Sequence, residues 1–442
     1  MELALQLKRL SQVDKFPFHM PGHKNEFPEL FGQFDPTELP GLDNLHSPQD
    51  IIKKAQARVA DIYGVAKTYF LVNGSSVGLM AGLASVARPG DCVLVPRNCH
   101  KAVVAGFIHS GAMPLWLEPE FSSVVGHWHP PSAKQVAEML AVHPIRAAIF
   151  TNPDYYGLAP DIKAIAQLCH QAGIRVLVDE AHGAHLRFGE GLALPKSAVC
   201  TECDIIVQSP HKTLPALTQS AWMHVAQPGL AEVVQDNLNL FHTTSPSYLL
   251  LASLEYAGAF AKAHGFVLFR HLRVWAKMLE LRSRQLGSSV FPHNKRRDWT
   301  KFTLVNKMGM EDMLARAGIF PELVQGDKAL FMLTMADAVN TAGLQALYEI
   351  LPKVANLPEL PVAKVSPPPV AWQECPPREA WLRKGQRVPL TEALGRISRQ
   401  IIAPYPPGTM VVAPGQRLTK DVVQYLAELA AGKVISQWIE VI

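Results

Sequence analysis

Short apolar runs without helical spacing recur along the first half of the chain. They predict strands over residues 68–72, 92–95, 113–117, 147–151, 176–178, 205–207 and 220–225. Between them lie stretches whose apolar positions suit helices, at 77–86, 100–109, 132–142 and a segment bracketed by Asp161 and Gly173. In that last segment Ile162, Ile165, Ala166 and Cys169 share one face. Strands separated by helices in this rhythm imply βαβ units and a mainly parallel sheet, an α/β fold with helices on both faces.

The flanks read differently. Residues 2–10 have helical spacing, but Pro17, Pro21, Gly22, Pro28, Pro36 and Pro40 then punctuate the chain, so 1–45 is expected to be an N-terminal arm. A helix is predicted over 47–63, with Ser47 as N-cap, Pro48 in the first turn and Gly64 past the end. Residues 229–240 read as helical, and 247–263 and 269–286 as two long helices, the second leaving the large domain, 46–286. Residues 287–442 are expected to form a smaller α/β domain, with strands at 300–305, 329–334 and 434–439 and helices at 310–317, 339–351 and 420–431. The proline-dense 352–369 is expected to be an extended connection.

Two of the predicted strands end in polar clusters, Asp179-Glu180-Ala181-His182 and Ser209-Pro210-His211-Lys212. In an open α/β sheet ligands sit beyond the carboxyl ends of the strands, which puts Asp179 and Lys212 in one crevice. A carboxylate and a lysine converging there suggest a carbonyl cofactor held by the amine. Asn73-Gly74-Ser75-Ser76 joins a strand to a helix N-terminus, where free backbone N–H groups and two hydroxyls suit a phosphate; the alternative is an ordinary serine-capped turn.

Charge and cysteine usage narrow the partners. A net charge of +4 over 442 residues, with Lys295-Arg296-Arg297 the densest basic run, gives no nucleic-acid face, and that run is expected to be a solvated loop. Nothing approaches the ~20 apolar residues of a membrane span. No secretory leader is evident, so a cytoplasmic protein with reduced thiols is expected. Cys200-x-x-Cys203 lacks the further ligands of a structural zinc site and is read as structural.

DEAHGAH followed by SPHK resembles the Orn/Lys/Arg decarboxylases, pyridoxal-phosphate enzymes of fold type I (aspartate aminotransferase-like). FHMPGHK at 18–24, LVNGSS at 71–76, RNCHK at 97–101, TTSPSYLLLASLE at 243–255 and APYPPG at 403–408 are similar to the same family. The resemblance implies pyridoxal 5′-phosphate, tethered by Lys212, with Asp179 on the ring nitrogen, His100 stacked on the ring and His182 on the substrate side. It implies phosphate ligands among Gly74, Ser75, Ser76, Ser209, His211 and Thr244, the last perhaps across a dimer interface. It also implies an arm near the site bearing His23.

One position departs from the pattern. Relatives carry an acid after Pro-Gly where a basic substrate is recognised, and this chain has Gln416; Asp154 or Glu120 is the expected replacement charge. The resemblance is to the short form without an N-terminal wing domain. It implies decarboxylation of arginine, lysine or ornithine to a polyamine precursor by a homodimer or higher homo-oligomer. The alternatives are another fold type I reaction, aminotransfer or a lyase step, on a non-basic amino acid, and a non-catalytic relative.

Overall fold

The computed structural model describes residues 1–12, 32–122, 127–290, 296–360, 367–404 and 410–442. In chain order its strands are β1 (Lys67–Leu71), β2 (Cys92–Pro96), β3 (Met113–Leu117), β4 (Phe121–Ser122), β5 (His127–Trp128), β6 (Ile145–Thr151), β7 (Arg175–Asp179), β8 (Ile205–Gln208), β9 (Ala221–Val225), β10 (Lys301–Val305), β11 (Leu323–Gln325), β12 (Lys328–Met332), β13 (Gln386–Pro389) and β14 (Trp438–Val441). The chain forms two compact units, one of Met1–Gly78, Asn152–Ala159 and Asp179–Pro361, the other of Leu79–Thr151, Pro160–Val178 and Val362–Ile442. The expected α/β class with a mainly parallel central sheet and a smaller C-terminal domain is observed.

In the first unit the strand order is β1-β9-β8, with β9 antiparallel to both neighbours. β8 and β9 are buried along their whole length, as unbroken apolar runs covered on both faces should be. One 38-residue helix, Tyr248–Gln285, runs through the core, where Leu251, Leu254, Phe269, Leu272 and Leu279 are wholly buried. The sequence predicted two helices here. Gly265, in the stretch between the two expected helices, serves packing: a Cβ there would lie 3.0 Å from Cβ of Phe188, so its absence lets Phe188 approach an unbroken helix. Helix Ile51–Tyr63 packs on this element through Ile52, Ala55 and Val59, and the same core includes Phe302, Leu304, Phe331, Leu344 and Leu347.

Helix Ile51–Tyr63 also corrects the expected cap. It begins four residues after Ser47, and Asp50 at its N-cap makes no side-chain capping bond. Asp43 does that work from outside: its carboxylate accepts the backbone N–H groups of Asn44 at 2.9 Å, Gln49 at 2.9 Å, Asp50 at 2.7 Å and Ile52 at 3.2 Å. A buried anion at a helix start satisfies amides that have no intrahelical partner. The first helix, Glu2–Ser11, uses the same device, with Glu255 accepting from Glu2 N at 2.9 Å and Leu3 N at 3.0 Å.

In the second unit the order is β7-β6-β2-β3, with β2 parallel to β3 and β6. A separate apolar cluster, including Val388, Leu390, Ile402, Val412, Leu418, Leu426 and Val441, holds the antiparallel pair β13 and β14 against helix Lys420–Ala431. That helix is as expected. The last strand is not: Lys433, at φ 58°, belongs to a turn, and pairing starts only at Trp438, opposite Pro389. The expected extended connection from 352 is also corrected, since helix Ala342–Ala355 continues through Pro352. The proline costs one N–H bond to the carbonyl four residues before it, and the buried Leu347, Leu351 and Val354 hold the turn despite that loss. Arg297, expected in a solvated loop, folds inward and donates from Nη2 to the Lys301 carbonyl at 2.6 Å. Among the described residues no helix is long and apolar enough to cross a membrane.

Asp43→Ala leaves several amides of one helix start without their acceptor, and a loss of about 1–3 kcal/mol in unfolding free energy is expected by chemical denaturation. A midpoint and slope equal to the wild type would contradict this role.

Candidate active site

Three chain segments meet where the strands of the first unit end. Asn152 N–H donates to the Asp179 carbonyl at 2.9 Å, and Glu180 N–H donates to the Val207 carbonyl at 2.8 Å. This places Asp179 beside the end of β8, from which the single-turn helix Pro210–Thr213 carries Lys212. Residues 33 positions apart in sequence are thereby brought to one site.

Lys212 Nζ lies 3.1 Å from His182 Nε2. Burial lowers the proton affinity of the Lys212 amine, and the carboxylates of Asp179 and Glu322 oppose that shift. Asp179 is itself buried, and its Oδ1 accepts the Ala181 N–H at 3.1 Å, which fixes the turn leading to His182. The Tyr155 ring stands edge-on to His182 with centroids 5.1 Å apart, and its hydroxyl donates to Glu322 Oε1 at 2.8 Å.

The Ser209 hydroxyl is wholly buried and has no hydrogen-bond partner among the described residues. His211 donates from Nδ1 to the Ser220 carbonyl at 2.7 Å, and burial lowers its pKa. Gly74, at φ 80°, makes the turn from β1 into helix Gly74–Val86, so Ser75 and Ser76 sit in that helix's first turn, half-buried. Thr243 N–H donates to Asn73 Oδ1 at 3.1 Å, which ties the exposed loop of Thr244 to the same turn.

His100, in the second unit, is the N-cap of helix Lys101–Ser110, its Nδ1 accepting the Ala102 N–H at 3.2 Å. Gln416, also in that unit, is wholly buried, and its Oε1 accepts the Ala413 N–H at 2.9 Å. Asp154 Oδ1 accepts the N–H groups of Tyr156 at 3.0 Å and Leu158 at 2.8 Å, bracing its own turn. Glu120 is exposed beside the β4 and β5 pair. His23 and the FHMPGHK stretch lie outside the described residues, as does most of APYPPG.

Residues 3–280 match the family model for the Orn/Lys/Arg decarboxylase major domain, and residues 367–434 match that for its C-terminal domain. The chain belongs to the Orn/Lys/Arg decarboxylase family. It is 36% identical over 445 residues to the uncharacterized protein YaaO of Bacillus subtilis, covering 94% of this chain and 91% of that one. It is 32% identical over 461 residues to an arginine decarboxylase of the same organism, covering 95% and 91%. The constitutive lysine decarboxylase of Escherichia coli shares its fold, with a TM-score of 0.79 at 19% identity over 99% of this chain and 78% of that one. With the family goes the enzyme class, a decarboxylase, and the cofactor, pyridoxal 5′-phosphate.

No local pattern in the sequence marks the element that stiffens this decarboxylase site. Glu180, next to Asp179, is wholly buried and accepts four hydrogen bonds: Asn152 Nδ2 at 2.8 Å, Ser197 Oγ at 2.8 Å, Ala198 N at 2.6 Å and Gln208 Nε2 at 2.6 Å. The network continues from Gln208 Oε1 to His224 Nε2 at 3.1 Å and from His224 Nδ1 to Thr68 Oγ1 at 2.8 Å. Its members come from distant segments and look like isolated polar residues in the sequence. A second buried pair was missed as well: His185 Nε2 lies 3.1 Å from Asp298 Oδ2.

Burial pushes the Glu180 carboxyl up to about 7, although its four donors favour the anion. The folded protein therefore holds this proton more tightly than the unfolded chain. The resulting stability is complete below the ordinary carboxylate range and is lost as the pH rises through about 7. Glu180→Gln has no proton to lose, so it is expected to flatten the fall of melting temperature between about pH 5 and 7.5 while lowering stability overall. A slope unchanged from the wild type would contradict the assignment.

Proposed function

We propose that this decarboxylase acts on a basic amino acid, arginine, lysine or ornithine, releasing carbon dioxide and an amine that serves as a polyamine precursor. The observation that carries the reading is the cluster of Lys212, His182 and Asp179 at the strand ends, with the lysine amine less basic than usual. The residues present suit the cofactor. The buried, unpartnered Ser209 hydroxyl and the helix start at Gly74, Ser75 and Ser76 offer donors to a phosphate. Bound there, pyridoxal phosphate supplies the ring into which the electron pair of the broken Cα–carboxyl bond is drawn.

The chain's own groups divide the remaining work. Lys212 tethers the cofactor, and its lowered proton affinity keeps a larger share of the amine neutral and nucleophilic. Asp179 holds a positive charge on the ring nitrogen. His182, at hydrogen-bond distance from Lys212 Nζ, orients the substrate carboxylate and moves a proton to or from that amine. Ser209, His211 and Thr244 would offer further donors to its phosphate, and His100 would be the stacking residue. His23, Asp154 and Gln416 contribute on the substrate side.

The similarity to an arginine decarboxylase puts arginine first among the three substrates. The reading includes a homodimer or larger homo-oligomer in the cytoplasm. It also includes an arm over 1–45, a cofactor domain over 46–286 and a small domain over 287–442; the major-domain match ending at residue 280 supports the second boundary.

The test is incubation of the purified holoprotein with a panel of amino acids. Carbon dioxide and the corresponding amine are expected in equal amounts from at least one basic amino acid, and Lys212→Ala is expected to lower turnover by at least about 100-fold. Keto acid without carbon dioxide, or turnover confined to neutral amino acids, would contradict the reading.

A further inference from the structure

We infer that Glu322 is the specificity-determining carboxylate of this site, the group that accepts the distal cation of a basic substrate; the inference rests on the decarboxylase reading above. A continuous line of contacts leads to it. Lys212 Nζ, where the substrate's amino group must arrive, is 3.1 Å from His182 Nε2. The His182 ring meets the edge of Tyr155, and the Tyr155 hydroxyl donates to Glu322 Oε1 at 2.8 Å. The Tyr155 side chain thus links the histidine to the carboxylate.

Glu322 is free to do this. It is exposed just before β11, and a carboxylate has about four acceptor positions, of which the tyrosine takes one. Its charge is felt inside the site, since it raises the proton affinity of both Lys212 and the wholly buried Lys301. Asp298 acts on Lys301 more strongly than Glu322 does. Gln416 is neutral and buried, and Asp154 is engaged with the amides of its own turn. Tyr155 holds Glu322 in place and supplies a flat wall along which an aliphatic chain can lie.

The test compares wild type, Glu322→Gln and Glu322→Asp holoproteins in calorimetric titrations with 1,5-diaminopentane and with 1-aminopentane, which lacks the distal cation. Steady-state kinetics on arginine and lysine run alongside. The wild type is expected to prefer the diamine, and E322Q to lose about tenfold of that preference, because a charge-assisted contact becomes a neutral one. KM for the basic amino acid is expected to rise about tenfold while kcat stays within about threefold, the pattern of lost binding and not of lost chemistry. E322D is expected to recover part of both. Wild-type ratios and KM in E322Q, or a wild type without diamine preference, would overturn the assignment. A wild type that releases no carbon dioxide from any basic amino acid would instead overturn the proposed function, whatever the diamine titrations read.

Discussion

An amine withdrawn from water holds its proton less tightly, and the site is organised around that effect at Lys212. Burial lowers its proton affinity, while Asp179 and Glu322 pull in the opposite direction. The outcome depends on geometry, because a carboxylate too close would keep the lysine charged. The backbone bonds from Asn152 to Asp179 and from Glu180 to Val207 set the spacing of the segments that carry these groups. Glu180 then locks them from beneath with four donors drawn from Asn152, Ser197, Ala198 and Gln208. A buried polar network is stabilising only when its members are satisfied, and this one extends through His224 to Thr68 on β1.

Much of this was legible in the sequence because strand ends are. The runs 176–178 and 205–207 are too short and too apolar for anything but buried strands, so the polar residues after them had to emerge at the same edge. The common edge of Asp179 and Lys212 followed from that, whereas the Gly74 turn was read from its own strand-to-helix pattern and the role of His182 from the family resemblance. Contacts between distant surface segments did not. Tyr155 and Glu322 are 167 positions apart and neither stands out locally, while the donors to Glu180 are ordinary asparagine, serine and glutamine side chains.

Helix ends were misread for a related reason. Ser47 looked like a cap because caps are judged from adjacent residues, whereas Asp43 reaches the helix from eight positions before its first residue. The two helices expected over 247–263 and 269–286 are one, and Gly265 between them admits Phe188. Pro352 looked like the start of an extended segment, yet the helix runs on through it, because the buried Leu347, Leu351 and Val354 hold that turn despite the lost N–H bond. In each case tertiary packing overrode a local preference that was itself sound.

The central claim is that the Lys212 amine carries the cofactor of this Orn/Lys/Arg decarboxylase family member. Reducing the holoprotein with borohydride, digesting it and mapping the peptides by mass spectrometry tests it directly. A pyridoxyl group on the peptide containing Lys212 is the expected result. An unmodified Lys212 with the label on another lysine, Lys301 included, would contradict the account.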